Sequence, residues 1–307
     1  MGSFIQLIDQ ASIPFLVWLQ GAESAGLTLL MGFLSYLGTE YFFLLFLPLI
    51  YWTISKRWGV LTALSLVFSS YVAGFVKWTF NLSRPPSPPV HKLWHETSPS
   101  FISGHATTAM AVWGTLAMLV QRTWFWLLAT ILIFGIGFSR LYLGVHYPGD
   151  VVGGWIAGVV VAWAVVAGTP KVERAVRSWS SGRMLAASLG LALILVLIHP
   201  RWPDGNLWPA PDAIQLGGLL FGILAGLVWD VKALHFHVAG PWLQRLQRFT
   251  LGIILLALFY VLPKMLLDAL NIDSYGLLQG VRFLRYALVG FVVSGLAPWL
   301  FQRLHLA

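Results

Sequence analysis

Three short segments hold the residue types that chemistry on a phosphate needs: Lys77-x6-Arg84-Pro85, Ser103-Gly104-His105 and Ser139-Arg140-x5-His146-x3-Asp150. Lys77, Arg84 and Arg140 are three cations suited to one dianionic phosphate. The arginines offer bidentate forks and the lysine a point charge. Ser103 and Gly104 stand where a helix is expected to begin, so the first N–H groups form a ready anion site. Gly104 lets a ligand approach the backbone closely. His146 and Asp150, four apart, read as an imidazole oriented by a carboxylate, as in catalytic triads. Asp150 follows Pro148-Gly149, a place where a helix N-cap is expected. His105 supplies a second imidazole on the other flank.

The set predicts nucleophilic phosphoryl transfer with acid–base help. His146 attacks phosphorus while Asp150 fixes its tautomer. His105 protonates the leaving alkoxide, then acts as base for water. The cations neutralise charge on the equatorial oxygens. The clusters hold a single carboxylate, and a cationic pocket repels Mg²⁺, so neither metal nor cofactor is expected.

The elements that must position these groups are membrane helices. Of the 307 residues 58% are hydrophobic and only 10% charged, where soluble domains carry about 25% charged residues. Mean hydropathy is +0.78 with 16 Trp, and Trp collects at membrane–water interfaces. A soluble enzyme, a disordered chain and a nucleic-acid partner are excluded on that balance, the net charge of +8 notwithstanding. The absence of Cys removes disulfides and thiolate metal sites. No Lys or Arg precedes the first apolar stretch, MGSFIQLIDQ, so a cleaved signal peptide is not expected.

A spanning helix needs about 20 mostly apolar residues. That template predicts an all-α polytopic bundle of about nine spans, at 40–55, 58–81, 104–121, 123–143, 150–168, 184–199, 213–229, 249–270 and 279–301. Residues 4–21 read as amphipathic and interfacial, and Gly38 as the break in an apolar stretch from 25 to 55. The expected organisation is N-terminal interfacial helices at 1–39, a catalytic core at 40–169 in spans 1–5, a basic cytoplasmic linker at 170–183, and a C-terminal membrane module at 184–307. The crossings put eleven of nineteen cations on one side, among them Lys56, Arg57, Arg122, Lys171, Arg174, Arg177 and Arg183. That side is cytoplasmic by the positive-inside rule. Lys77, Arg84 and Arg140 then face the outside, and a bacterial inner membrane is the expected location.

The three segments resemble the signature of the type 2 phosphatidic acid phosphatase superfamily, the membrane lipid phosphatases. That signature is K-x6-R-P, P-S-G-H and S-R-x5-H-x3-D. The first and third parts stand as KWTFNLSRP (77–85) and SRLYLGVHYPGD (139–150), and the second reads I-S-G-H with Ile102 in place of Pro. The stretch RPPSPPVHKL (84–93) is similar to the sphingosine-1-phosphate phosphatase branch. The resemblance implies a metal-independent lipid phosphate phosphatase with a phosphohistidine intermediate. It implies His146, His105 and Asp150 as catalytic residues, and Lys77, Arg84, Ser103, Gly104 and Arg140 as phosphate-binding ones. It covers residues 40–168. A phosphotransferase using the same intermediate, and a lipid transporter with an anion-binding gate, are the alternatives.

Other polar residues carry blander expectations. His91, Lys92, His95 and Glu96 read as a solvated loop, and His235-x-His237 as loop histidines. Trp94, Trp202 and Trp208 read as an outer aromatic belt. Lys264, Asp268, Arg282 and Arg285 read as intramembrane salt bridges, with a second polar cavity as the alternative. Gly153-Gly154-x3-Gly158 and Gly217-Gly218-x3-Gly222 read as surfaces for close helix packing.

Overall fold

The computed structural model describes residues 2–201, 209–269 and 274–306, with side chains from Ile5 onward and without those of 266–269. Trp202, Trp208 and the Asp268 side chain lie outside the described residues. The chain is helical: α1 (Gly2–Gln20), α2 (Ala25–Tyr36), α3 (Glu40–Leu49), α4 (Lys56–Phe80), α5 (Gly104–Val120), α6 (Thr123–Tyr142), α7 (Pro148–Val176), α8 (Ser181–Ile198), α9 (Pro211–Trp229), α10 (Trp242–Ala269), α11 (Tyr275–Phe291) and α12 (Ala297–Arg303). Two compact units result, one from Met1–Leu44 with Leu61–Thr169, the other from Leu45–Val60 with Pro170–Ala307.

In the first unit α5 is the central helix. From Ala106 to Ala117 every residue except Met110 is buried. Its Ala, Thr and Gly side chains are small, so neighbouring backbones close on it. A Cβ on Gly154 of α7 would stand 2.8 Å from the Ser103 carbonyl oxygen, and one on Gly158 2.6 Å from that of Thr107. The small-residue stripe therefore docks α7 onto the beginning of α5. α4 packs on the far part of α5 through Leu64, Phe68 and Val72 and through a 2.8 Å hydrogen bond between Ser65 and Thr115.

The surface of this unit is apolar where a soluble protein is polar. Leu127, Ile131, Phe134 and Phe138 form an exposed stripe on α6, while Ile133, Ile136, Gly137 and Arg140 are buried. Such a continuous apolar face is stable against lipid and not against water. Local signals end the helices where the sequence suggests. Asn81, in a left-handed conformation (φ 45°), closes α4 four residues past Lys77 and before Pro85. Gly144 (φ +69°) turns the chain after α6, where a Cβ would lie 2.1 Å from the His91 carbonyl oxygen.

Several sequence expectations need correction. Seven helices among the described residues are long and apolar enough to cross a membrane, eight if the bent pair α2 and Glu40–Ile54 counts as one span, against the nine expected. Of the expected spans, the one outside that group is α5, with 17 residues. Its length of about 25 Å still returns the chain to the start of α6. The break at Gly38 is present, as a 55° bend. α7 continues to Val176 and α8 begins at Ser181, so only residues 177–180 of the expected linker are outside helices. The segment after α3, a π-helical turn Ile50–Ile54, belongs to the second unit: Trp52 is fully buried against Phe301 and its Nε1 donates to the Val293 carbonyl at 2.9 Å.

In the second unit the other glycine stripe serves the same purpose. Cβ atoms on Gly218 and Gly222 of α9 would meet the carbonyl oxygens of Phe283 and Ala287 of α11 at 2.3 and 1.9 Å. Lys56 pairs with the buried Asp230, which also accepts the Phe236 N–H. His235 and His237 are exposed on either side of buried Phe236. Arg282 donates to Gln279 at 2.7 Å, and Arg285 lies over the rings of Tyr286 and Tyr260. These described partners are an amide and aromatic faces rather than the expected carboxylates.

The packing of α7 on α5 is testable within one helix. Gly158→Ala places a methyl against backbone and is expected to destabilise by about 1–3 kcal/mol. Gly168 has nothing within 4 Å of the same position, so Gly168→Ala should be neutral or slightly stabilising. Thermal unfolding of both variants in one detergent checks the contrast.

Candidate active site

The ends of four helices meet at one end of the first unit and bring all eight expected residues together. Lys77 comes from the last turn of α4, Ser103, Gly104 and His105 from the start of α5, Arg140 from the last turn of α6, and Asp150 from the first turn of α7. Arg84 stands in the loop between α4 and α5, and His146 in the loop between α6 and α7.

The centre is His146, buried with Asp150. His146 Nδ1 lies 3.0 Å from Asp150 Oδ2, and Arg84 Nη1 lies 3.2 Å from His146 Nε2. The carboxylate therefore holds the Nδ1 proton and leaves the Nε2 lone pair facing the arginine. Asp150 Oδ2 also accepts from the Tyr147 N–H at 2.9 Å and from the Ser100 hydroxyl. Asp150 is thus not the N-cap that its position suggested. It sits inside the first turn and reaches back to the cap residue's N–H, as the acidic member of a capping box does. Its main-chain carbonyl accepts from the Ser103 N–H at 3.0 Å, which ties the starts of α5 and α7.

Each cation is fixed by partners other than a phosphate. Lys77 is buried and donates to the carbonyls of Pro99 and Ser100, using two of its three donors. Arg84 donates to the carbonyls of Ser98 and Val145, both at 2.7 Å. Arg140 is fully buried, with Nη1 on the Ser35 hydroxyl and Nη2 on Glu96, and Trp94 packs over its guanidinium at 5.9 Å. Trp94 thus lies against this arginine. Ser103 caps α5, and a Cβ on Gly104 would lie 3.9 Å from Lys77 Cε, so the helix start opens onto the lysine. His105 Nε2 is buried without a hydrogen-bond partner. Gly38 backs its ring, where a Cβ would come within 2.8 Å of His105 Cδ2.

Sequence reasoning missed the residues that hold this set. Ser35 and Gly38 come from the segment taken as interfacial, and Ser100 from between two motifs. Glu96, read as solvated, bridges Arg140 and, at 3.5 Å, Arg84. Gln20 clamps the loop with a hydrogen-bond pair to the backbone of His91, at 2.7 and 2.9 Å. Asp9 of α1 is buried beside Gly149, and burial followed by the charge of Asp150 pushes its carboxyl up to about 7. The i, i+3 apolar spacing of α1, with Ile13, Leu16 and Leu19 against Val90, Leu141 and Tyr147, is the one signal that could have assigned this helix to the core.

Comparison with known proteins gives a family for each part. Residues 58–174 match the PAP2 superfamily and residues 214–307 the transmembrane extension of PAP2 superfamily phosphatases. A lipid phosphate phosphatase delta of Arabidopsis thaliana is 21% identical over 96% of this chain and 87% of its own length. A dihydrosphingosine 1-phosphate phosphatase of Schizosaccharomyces pombe is 30% identical over 62% of this chain and 49% of its own length. An undecaprenyl-diphosphatase of Sulfolobus acidocaldarius is 31% identical over 47% of this chain and 71% of its own length. Four helix ends that gather two histidines, an aspartate and three cations, on a chain matched in this way along both parts, lead to one assignment: the chain belongs to the PAP2 superfamily and is an integral membrane enzyme, a phosphoric monoester hydrolase.

Proposed function

We propose that this enzyme hydrolyses the phosphomonoester or pyrophosphate of a lipid through a phosphohistidine formed on His146, without a metal. The observation that carries the reading is the His146–Asp150 pair, 3.0 Å apart at Nδ1, with Nε2 turned to Arg84. The Nε2 lone pair attacks phosphorus, the P–O bond to the lipid breaks, and His105 gives the leaving oxygen its proton. Neutral His105 then takes a proton from water as that water attacks the phosphohistidine. The P–N bond breaks, and orthophosphate and free His146 result. Asp150 stabilises the charged imidazole throughout. Lys77, Arg84, Arg140 and the N–H groups heading α5, with Ser103 and Gly104, bind the phosphoryl oxygens and offset the charge that gathers on them.

A lipid substrate is supported by the site's position at the end of a helical bundle with apolar outer faces, where an amphiphile arrives laterally. The names of the three relatives agree with lipid phosphates and prenyl diphosphates as the class. The metal-free reading is supported by the donor set, in which Lys77, Arg84 and Arg140 surround Asp150 and Glu96. Residues 40–169 act as the core with 1–39 completing it, and 184–307 as an accessory membrane module. The cation count along the chain favours a site on the extracytoplasmic face.

Phosphate release from a panel of lipid phosphates in the presence of EDTA tests the reading. The purified protein should release orthophosphate, and His146→Ala and His105→Ala should each lose about a thousandfold or more. Inhibition by EDTA contradicts the metal-free mechanism, and transfer to an acceptor hydroxyl with no free phosphate contradicts hydrolysis.

The pH dependence has a definite sign. Burial first, then Lys77, Arg84 and Arg140, hold the His146 imidazole well below its ordinary value of 6.5. A lowered value keeps Nε2 unprotonated into more acidic solution, so activity persists there. The acid limb of kcat/KM, corrected for the substrate's own ionisation, is expected below pH 6.5, and Arg84→Gln should move it upward. A wild-type limb at or above 6.5 contradicts this.

A further inference from the structure

The strongest feature that the reaction does not use is Glu96. One carboxylate oxygen, Oε1, sits on Arg140 Nη2, and the other, Oε2, lies 3.5 Å from Arg84 Nη2. A phosphate would present its oxygens to these two guanidiniums in the same way. Other groups hold much of each arginine: Arg84 donates to the carbonyls of Ser98, Val145 and Pro99 and to the Ser98 hydroxyl and lies against His146, and Arg140 rests on Ser35 and the Trp94 ring with its Nε buried and unpaired. A ligand that engages both arginines through their Nη2 groups has to displace Glu96.

We propose that Glu96 is a specificity-determining residue, a resident anion that bars singly charged phosphodiesters from the pocket and yields to doubly charged phosphomonoesters. The inference rests on the phosphomonoesterase reading of the site. Most lipid around a membrane enzyme carries phosphodiester headgroups with one negative charge. Exchanging Glu96 for such a headgroup replaces one charge by one charge and gains nothing from the cations. The carboxylate also competes as a tethered group, at an effective concentration of order millimolar. A phosphomonoester carries about −1.5 to −2 at pH 7, so exchange adds up to a full charge opposite Lys77, Arg84 and Arg140. At a buried site that extra charge is weakly screened and decides the exchange. The tethered carboxylate thus lowers the affinity for the commoner ligand more than for the doubly charged one.

The test measures binding and turnover separately. Calorimetry in dodecyl maltoside compares orthophosphate with dimethyl phosphate, and hydrolysis of dioctanoyl phosphatidate is followed with dioctanoyl phosphatidylglycerol as competitor. The wild type is expected to bind orthophosphate and to resist both phosphodiesters. Glu96→Gln should tighten dimethyl phosphate and phosphatidylglycerol by about tenfold, more than it tightens orthophosphate, so that discrimination collapses. Glu96→Ala deletes the same charge by another route and stands in if Glu96→Gln loses monodisperse elution. Equal weakening of both phosphates in the variants overturns the proposal and leaves Glu96 as a support for the arginines. Wild-type protein that discriminates as described yet hydrolyses no lipid phosphate contradicts the proposed function and leaves the role of Glu96 standing.

Discussion

Three cations gathered at the buried end of a membrane helix bundle must be compensated before any substrate arrives. An unpaired charge in such a place costs several kcal/mol or more, and Arg140 is fully buried. The compensation comes from the loop between α4 and α5. Carbonyls of Ser98, Pro99 and Ser100 accept from Arg84 and Lys77, and the Glu96 carboxylate spans the two arginines. This loop must be ordered in its own right, which gives purpose to Gln20 on its backbone and to α1 and α2 beneath it. The N-terminal helices are therefore part of the site's electrostatics, with Ser35 on Arg140 as the direct contact.

Backbone proximity is the second condition. The His146–Asp150 pair works only if the starts of α5 and α7 are held together, and the Ser103 N–H to Asp150 carbonyl bond does so at 3.0 Å. Gly154 and Gly158 permit that approach. Gly38 has a related role on the other flank, since its missing side chain is the space that the His105 ring fills. Packing and chemistry share the same short stretch of each helix.

The eight residues that the sequence singles out sit at fixed spacings that elementary phosphate chemistry explains, and the fold gathers them in one place. The sequence carried the supporting set poorly. Glu96, Ser35 and Ser100 reach the site through a loop and a broken helix, where no periodicity marks the direction of a side chain, and Glu96 among His, Lys and Thr looks like solvated loop. Asp150 lies three positions past the N-cap, the place expected of it, because Pro148 starts the helix earlier than a Pro-Gly pair suggests. The expected span at 104–121 is present as α5, a helix of 17 residues with small, buried side chains. Arg285 lies over two tyrosine rings, while Asp268, its expected carboxylate partner, lies outside the described side chains.

The central claim is that phosphorus passes through His146. A leaving group that needs no proton separates the two halves of the reaction, since His105 is then dispensable for the first step and still required for the second. Labelled 4-nitrophenyl phosphate given to His105→Ala and quenched on the millisecond scale should leave phosphate on the protein, stable to alkali, labile to acid, and mapped to the peptide containing His146. Turnover of this substrate with no protein-bound phosphate at any quench time, or label that persists in a His105→Ala, His146→Ala double variant, would contradict the account.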